Sequence, residues 1–312
     1  MKRIRPLALI LILSSALLFA PGCDTAVEPA TDTNLDEVFD INASNASAIK
    51  GDFKKFKIAV TNGELDGEDH PWVVLLLMEV GGQPAFRCSG TLLSATVLLT
   101  AGHCTNNFPG APYTGMRVFT ESDVDNGNNN YPFAGPNSVE AVSFAAHPLY
   151  ETAPFFVHDV GVVILKKPGV RLDEYGTLPE VDELDVLATQ RGLEDITFTS
   201  VGYGLQQINP VMIQADRIRM FAQPHLIQIN TPGFTGDFSL LLSNNHSTGG
   251  TCFGDSGGPN FLGESNVVAG VTSFGLNGNC AGTGGVFRMD RENVLDFVTP
   301  FLGNGNGNGN GN

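Results

Sequence analysis

Between residues 60 and 302 the apolar positions fall into short runs, each fenced by Gly, Pro or Asn. Trp72 to Leu77, Thr91 to Thr100, Val160 to Leu165, Ile196 to Tyr203 and Val267 to Phe274 are rich in β-branched or aromatic residues and read as strands. In the third of these, Val160, Val162 and Ile164 share one face while Gly161 and Val163 share the other. One helix is predicted, at the end of this region. Val294, Phe297, Val298 and Phe301 recur at i, i+3, i+4 and i+7, with Asp290 ahead of them as a candidate cap. No fixed-period repeat is present. Many short strands joined by turns predict an all-β domain.

Outside that region the pattern changes. Lys2, Arg3 and Arg5 precede an apolar run from Leu7 to Phe19 that is too short for a membrane span, so residues 1–22 read as a secretory signal. Residues 23–59 are acidic, then Asn/Ala/Ser-rich, then basic at Lys54, Lys55 and Lys57. They lack apolar periodicity and read as a tether or pro-segment. Residues 303–312 alternate Gly and Asn, which predicts a disordered tail. The folded domain is therefore expected at 60–302. Within it, Asp123 and Asp125 raise the question of a Ca²⁺ loop. The glycine is one position early for an EF-hand and no bidentate Glu follows, so 121–135 is expected to be a solvated loop without metal.

The chain has 312 residues, 42% of them hydrophobic, which suffices for a sizeable core. It carries 17 Lys+Arg against 33 Asp+Glu, a formal net charge of −16, which argues against a nucleic-acid partner. The acidity reads as a soluble, self-repelling surface, with attraction for cationic substrates as the alternative. Nothing in the sequence calls for a cofactor, and a monomer is expected.

Three segments carry chemistry: Thr100-Ala101-Gly102-His103-Cys104, His158-Asp159 leading into the strand Val160–Leu165, and Gly254-Asp255-Ser256-Gly257-Gly258-Pro259. A serine hydroxyl is a weak nucleophile until a base takes its proton, and a buried acid orients that base. The third segment also satisfies G-x-S-x-G, but the α/β-hydrolase order requires a histidine after the serine, and none follows Ser256. Together the segments resemble the core of a trypsin/chymotrypsin-type serine endopeptidase. The likeness extends through Val201-Gly202-Tyr203-Gly204 and Val271-Thr272-Ser273-Phe274-Gly275 over about residues 60–302.

The resemblance implies a fold of two packed antiparallel six-stranded β-barrels with a C-terminal helix. It implies His103 as base, Asp159 as its acid, Ser256 as nucleophile, and the backbone N–H groups of Gly254 and Ser256 as oxyanion hole. Cys88 would pair with Cys104 and Cys252 with Cys280. Ser273, Phe274 and Gly275 would lie on the strand that adds to a bound peptide. Gly250 stands where trypsins carry the aspartate that attracts Lys or Arg, and Gly275 and Gly285 match the two wall glycines of the pocket. A neutral, open slot predicts cleavage after Phe, Tyr, Leu or Met, with broad specificity as the alternative.

Val60-Thr61-Asn62-Gly63 looks like the start of a mature enzyme, though Val60 replaces the usual Ile and Thr61-Asn62 depart from Val-Gly. Cleavage after Ala59 would free an ammonium on Val60 to pair with Asp255; cleavage at Lys57-Ile58 is the alternative. Cys23 is the odd one of five cysteines. It ends Phe19-Ala20-Pro21-Gly22-Cys23, which resembles a bacterial lipoprotein signal apart from Ala20 and Pro21. Lipidation of Cys23 is one reading and an incidental cysteine at the end of a plain signal the other. Either way the domain is expected to be secreted or in the cell envelope, touching a membrane only through Cys23. The expected partners are peptide or protein substrates. A catalytically inactive binding protein on the same fold is the opposing class.

Overall fold

The computed structural model describes residues 63–107, 110–150, 157–189, 195–209, 212–232 and 235–303. The signal, Cys23, the tether, Val60 and the tail after Gly303 lie outside the described residues. Among those described, no helix is long and apolar enough to cross a membrane.

A short β1 (Glu64–Leu65) leads in. Then come β2 (Val73–Val80), β3 (Gln83–Ser94), β4 (Val97–Thr100), β5 (Tyr113–Phe119), β6 (Ser138–Ala146) and β7 (Gly161–Leu165). They close an antiparallel barrel in the order β2-β3-β4-β7-β6-β5. Val73 to Met78 of β2 are all buried, which explains why that run is continuously apolar rather than alternating. The stretch 91–100, read as one strand from sequence, is a hairpin: Ser94 pairs with Val97 and the chain reverses between them.

The second half contains β8 (Phe198–Gly202), β9 (Gln207–Asn209), β10 (Met212–Gln214), β11 (Met220–Ala222), β12 (Leu226–Thr231), β13 (Gly236–Asn244), β14 (Pro259–Leu262), β15 (Val268–Gly275) and β16 (Gly282–Arg288). β9 and β10 form a separate hairpin, and the rest make a sheet ordered β1-β11-β8-β14-β15-β16-β13-β12. Its far strand folds back on β8. Thr197 bridges His225, Phe198 N donates to Pro224 O at 2.9 Å and Leu226 N donates to Ile196 O at 2.8 Å. The strands from β8 round to β12 thus curl into a second six-stranded barrel, extended by β11 and β1.

One apolar cluster fills the first barrel and the contact between the two, with Val201, Tyr203, Val271 and Phe287 reaching in from the second half. A second cluster, including Phe198, Leu226, Leu240, Leu242 and Val286, fills the second barrel. The segment before β2 is pinned by a buried ion pair: Arg219 Nε donates to Asp66 Oδ2 at 2.7 Å.

Helix α1 (Gly102–Thr105) is a single turn after β4, and α2 (Glu292–Val298) closes the domain, continued by a 3-10 turn at Thr299–Leu302. Val294 and Val298 are buried as the stripe predicted, whereas Phe301 is 37% exposed. Asp290 does not cap α2. Its carboxylate accepts from Arg288 Nε (2.9 Å) and Nη2 (2.7 Å) and from Leu184 N (2.8 Å), because a buried arginine needs that charge more than an exposed helix end needs a cap. Arg291 takes the N-cap position without capping the helix through its side chain, which instead pairs with Asp182 and Asp185.

Candidate active site

β4 and β7 are paired so that Thr100 lies opposite Gly161. This register sets the one-turn helix α1 beside the start of β7, and hence His103 beside Asp159. Asp159 is fully buried, and its carboxylate is covered by donors. Oδ1 accepts the His103 backbone N–H at 2.8 Å, His103 Nδ1 lies 2.9 Å from Oδ2, and Ser273 Oγ donates to Oδ2 at 2.5 Å. An ionised carboxylate only accepts, so Nδ1 carries the ring proton and Nε2 keeps its lone pair. Packing around the ring opposes the imidazolium, but the Asp159 charge and hydrogen bond outweigh it and hold the His103 pKa above the ordinary histidine value. Gly102 makes this approach possible: a Cβ there would sit 3.2 Å from Asp159 Oδ1 and 3.0 Å from the Tyr150 ring.

Ser256 is held through its backbone. Ser89 N donates to Ser256 O at 2.8 Å, and Cys104 Sγ, next to His103, lies 3.8 Å from the same oxygen. Gly257 has φ +76°, and a Cβ on it would fall 2.6 Å from Ala101 N, so only glycine lets the serine loop close against the histidine loop. Gly254 has φ +95°. Among the described residues, no acceptor takes the backbone N–H of Gly254 or of Ser256.

Ser89 was not singled out from sequence. Buried in β3, it donates its hydroxyl to Gly254 O at 2.9 Å, accepts from Tyr203 N at 3.0 Å, and offers its carbonyl to Thr100 Oγ1 at 2.8 Å. It therefore ties the serine loop, the histidine strand and the second barrel together. Its only sequence signal was its place directly after Cys88.

Asp255 is fully buried, and its carboxylate accepts from Gly204 N (2.7 Å) and Cys252 N (2.9 Å). It occupies the side-chain space of both Gly202 and Gly204, which is why that turn needs two glycines. Burial pushes its pKa up to about 6 from 3.8, against the pull of the two amides and of the nearby Arg87 charge. A folded chain that holds this proton more tightly than the unfolded chain loses stability as pH rises from about 4 through 6. The rise from 3.8 to about 6 corresponds to about 3 kcal/mol. Urea midpoints of the uncleaved chain are expected to fall across that window, and the Asp255→Asn variant to lack this part of the slope.

Both disulfides expected from the resemblance form, Cys88–Cys104 and Cys252–Cys280. The first fastens β3 to α1 behind His103. At the pocket positions, Gly275 stands clear, with only Asn277 O at 3.4 Å from a Cβ built on it. The space expected to be open at Gly285 holds the Phe274 ring, too close for any side chain there. Gly250 packs against Asn244. The acidic loop satisfies its own carboxylates: Glu121 accepts from Asn128 N and the Asn129 and Asn137 side chains, Asp123 from Asn126, and Asp125 pairs with Arg217. His147 stacks on His158 at 4.8 Å and meets the edge of Phe297.

Comparison with known proteins agrees with this architecture. The chain is 27% identical over 237 residues to serine protease grass of Drosophila melanogaster, a stretch covering 70% of this chain and 60% of that protein. Brachyurin of Leptuca pugilator is 29% identical over 206 residues, covering 62% of this chain and 78% of its own. The chain spans only 66% of phenoloxidase-activating factor 3 of Holotrichia diomphalia, at 26% identity over 252 residues covering 73% of this chain. A solved HL collagenase superposes with a TM-score of 0.59 at 22% identity over 79% of this chain and 99% of that one, a likeness of fold. The sequence model of the Trypsin family matches residues 60–296, and the chain belongs to that family.

Proposed function

We propose that this protein is a serine endopeptidase that cleaves peptide bonds through His103, Asp159 and Ser256. The observation that carries the reading is the buried Asp159 carboxylate bound to His103 Nδ1, which leaves Nε2 as base on the loop packed against Ser256. His103 Nε2 takes the Ser256 proton as Oγ attacks the scissile carbonyl. The oxygen that becomes negative is met by the free N–H groups of Gly254 and Ser256. His103 then gives the proton to the leaving amine, and water, activated by the same base, hydrolyses the acyl-enzyme. Two backbone donors are each worth roughly 3–4 kcal/mol at such a transition state.

Ser273, Phe274 and Gly275, at the end of β15, are the edge on which an extended peptide adds as a strand. Gly250 and Gly285 bring no charge to the pocket, and the Phe274 ring gives it an aromatic wall. This favours a large apolar side chain on the acyl side of the scissile bond. Activation follows cleavage after Ala59, with the Val60 ammonium pairing with the buried Asp255. The two disulfides suit an oxidising compartment, so the domain works outside the cytosol, secreted or in the cell envelope.

The test is labelling of the matured protein by a fluorophosphonate. Covalent label on Ser256, lost on denaturation before labelling, is expected. A folded, matured protein without label defeats the enzyme reading and leaves a binding protein on a protease fold. In a peptide library, preferred cleavage after Arg or Lys would refute the apolar pocket.

A further inference from the structure

Arg87 lies on β3 and is only 8% exposed. A buried guanidinium brings a full charge and five N–H donors, and native folds supply acceptors for them. The other buried arginines have theirs: Arg219 pairs with Asp66, Arg288 with Asp290 and Arg291 with Asp182. Among the described residues, no carboxylate pairs with Arg87. Its polar neighbours are Arg217, Tyr131 and Asp125. The Tyr131 hydroxyl does not close a hydrogen bond to it and is itself buried without a partner. Arg217 repels it, and together with burial this pulls the Arg87 pKa below the usual arginine value. Asp125 is engaged by Arg217, through Nη1 at 3.7 Å and the backbone N–H at 2.9 Å. Asp255 also feels the Arg87 charge, but its carboxylate is held by Gly204 N and Cys252 N. Two guanidiniums thus face one carboxylate, Asp125, and one positive charge is left over.

We propose that Arg87 and Arg217 form a binding site for one small carboxylate anion, held between the two guanidiniums. A carboxylate supplies the single missing charge, and its two oxygens match the fork of a guanidinium. A doubly charged phosphate or sulfate would bring one charge too many. The way in is at the outer edge, where the side chains of Arg217 and Asp125 are 25% and 32% exposed. The inner end backs onto the loop of the nucleophile: Arg87 Nε lies 3.5 Å from a Cβ built on Gly254. An anion that fixes Arg87 therefore steadies that loop. The site belongs to the folded domain alone and stands whether or not Ser256 is a nucleophile.

The test is the urea midpoint of the full chain in increasing sodium formate, with ionic strength held constant by sodium chloride. A saturable rise is expected, because a ligand that binds only the folded state stabilises it. Arg217→Gln is expected to weaken the apparent affinity for formate about tenfold, the worth of one charge-assisted hydrogen bond. Arg87→Met is expected to abolish the response and, without formate, to match or exceed the wild-type midpoint, since it removes a buried charge that lacks a partner. A blocked Gly-Asp-Gly tripeptide and its Gly-Asn-Gly twin separate the sources. A rise with the Asp peptide alone assigns the site to an acidic side chain, and a rise with formate alone assigns it to a free anion. No saturable rise with either overturns the proposal, and so does a response that survives Arg87→Met. An Arg87→Met chain that is destabilised or does not fold shows that Arg87 is already satisfied, and overturns it as well.

Discussion

Ser256→Ala is expected to lower kcat by about 10⁶-fold, the order found when the nucleophile of a serine protease triad is removed. The fold should be indifferent to the change. Ser256 is held through its carbonyl, which accepts from Ser89 N, and the hydroxyl has no partner among the described residues. Activity on a peptide that the wild type cleaves, together with the urea midpoint, is the measurement. Loss of activity with an unchanged midpoint is the expected pair. Residual turnover about 10³-fold or more above the uncatalysed rate should persist, because the donors at Gly254 and Ser256 and the peptide-binding edge remain. A variant that retains most of its activity would place the nucleophile elsewhere.

Asp159→Asn is expected to cost about 10⁴-fold in kcat. The carboxylate now serves three donors: His103 N, His103 Nδ1 and Ser273 Oγ. An asparagine has one accepting oxygen and turns an N–H toward the imidazole, so Nδ1 must become the acceptor. The ring proton then moves to Nε2, the atom that should take the serine proton. The pH profile separates this from a general loss of packing. With Asp159 in place, His103 stays protonated to a pH above its ordinary pKa, so activity falls on acidification already above that value. Without the negative charge, the acid limb of kcat/KM should move to lower pH even as the plateau drops. An acid limb that stays put would mean that Asp159 does not act through His103.

Much of this was legible in the chain because it is local. The runs at 160–165 and 267–274 are strands because β-branched and aromatic residues sit between breakers. The helix stripe at Val294 and Val298 is buried because period 3.6 puts both on one face. His103 and Ser256 stood out because each lies in a frame of small residues, Ala101-Gly102 before the histidine and glycines on both sides of the serine, and Asp159 because it heads an apolar strand. The hairpin inside 91–100 was not legible, since its turn at Ala95-Thr96 carries no Gly, Pro or Asn. Asp290 was misread as a cap because its partner, Arg288, is itself buried only in the folded barrel.

The sequence alone determined the strand-rich class, the three chemical segments and their order, since these depend on spacing along the chain. Tertiary structure decided what meets what. It brought Ser89 from β3 onto Gly254, Ser273 from β15 onto Asp159, the Phe274 ring onto Gly285 and the Asn244 amide into the space left by Gly250. Each of those contacts depends on barrel closure and strand register, and a glycine in a sequence says that a side chain is missing without saying which neighbour takes its place.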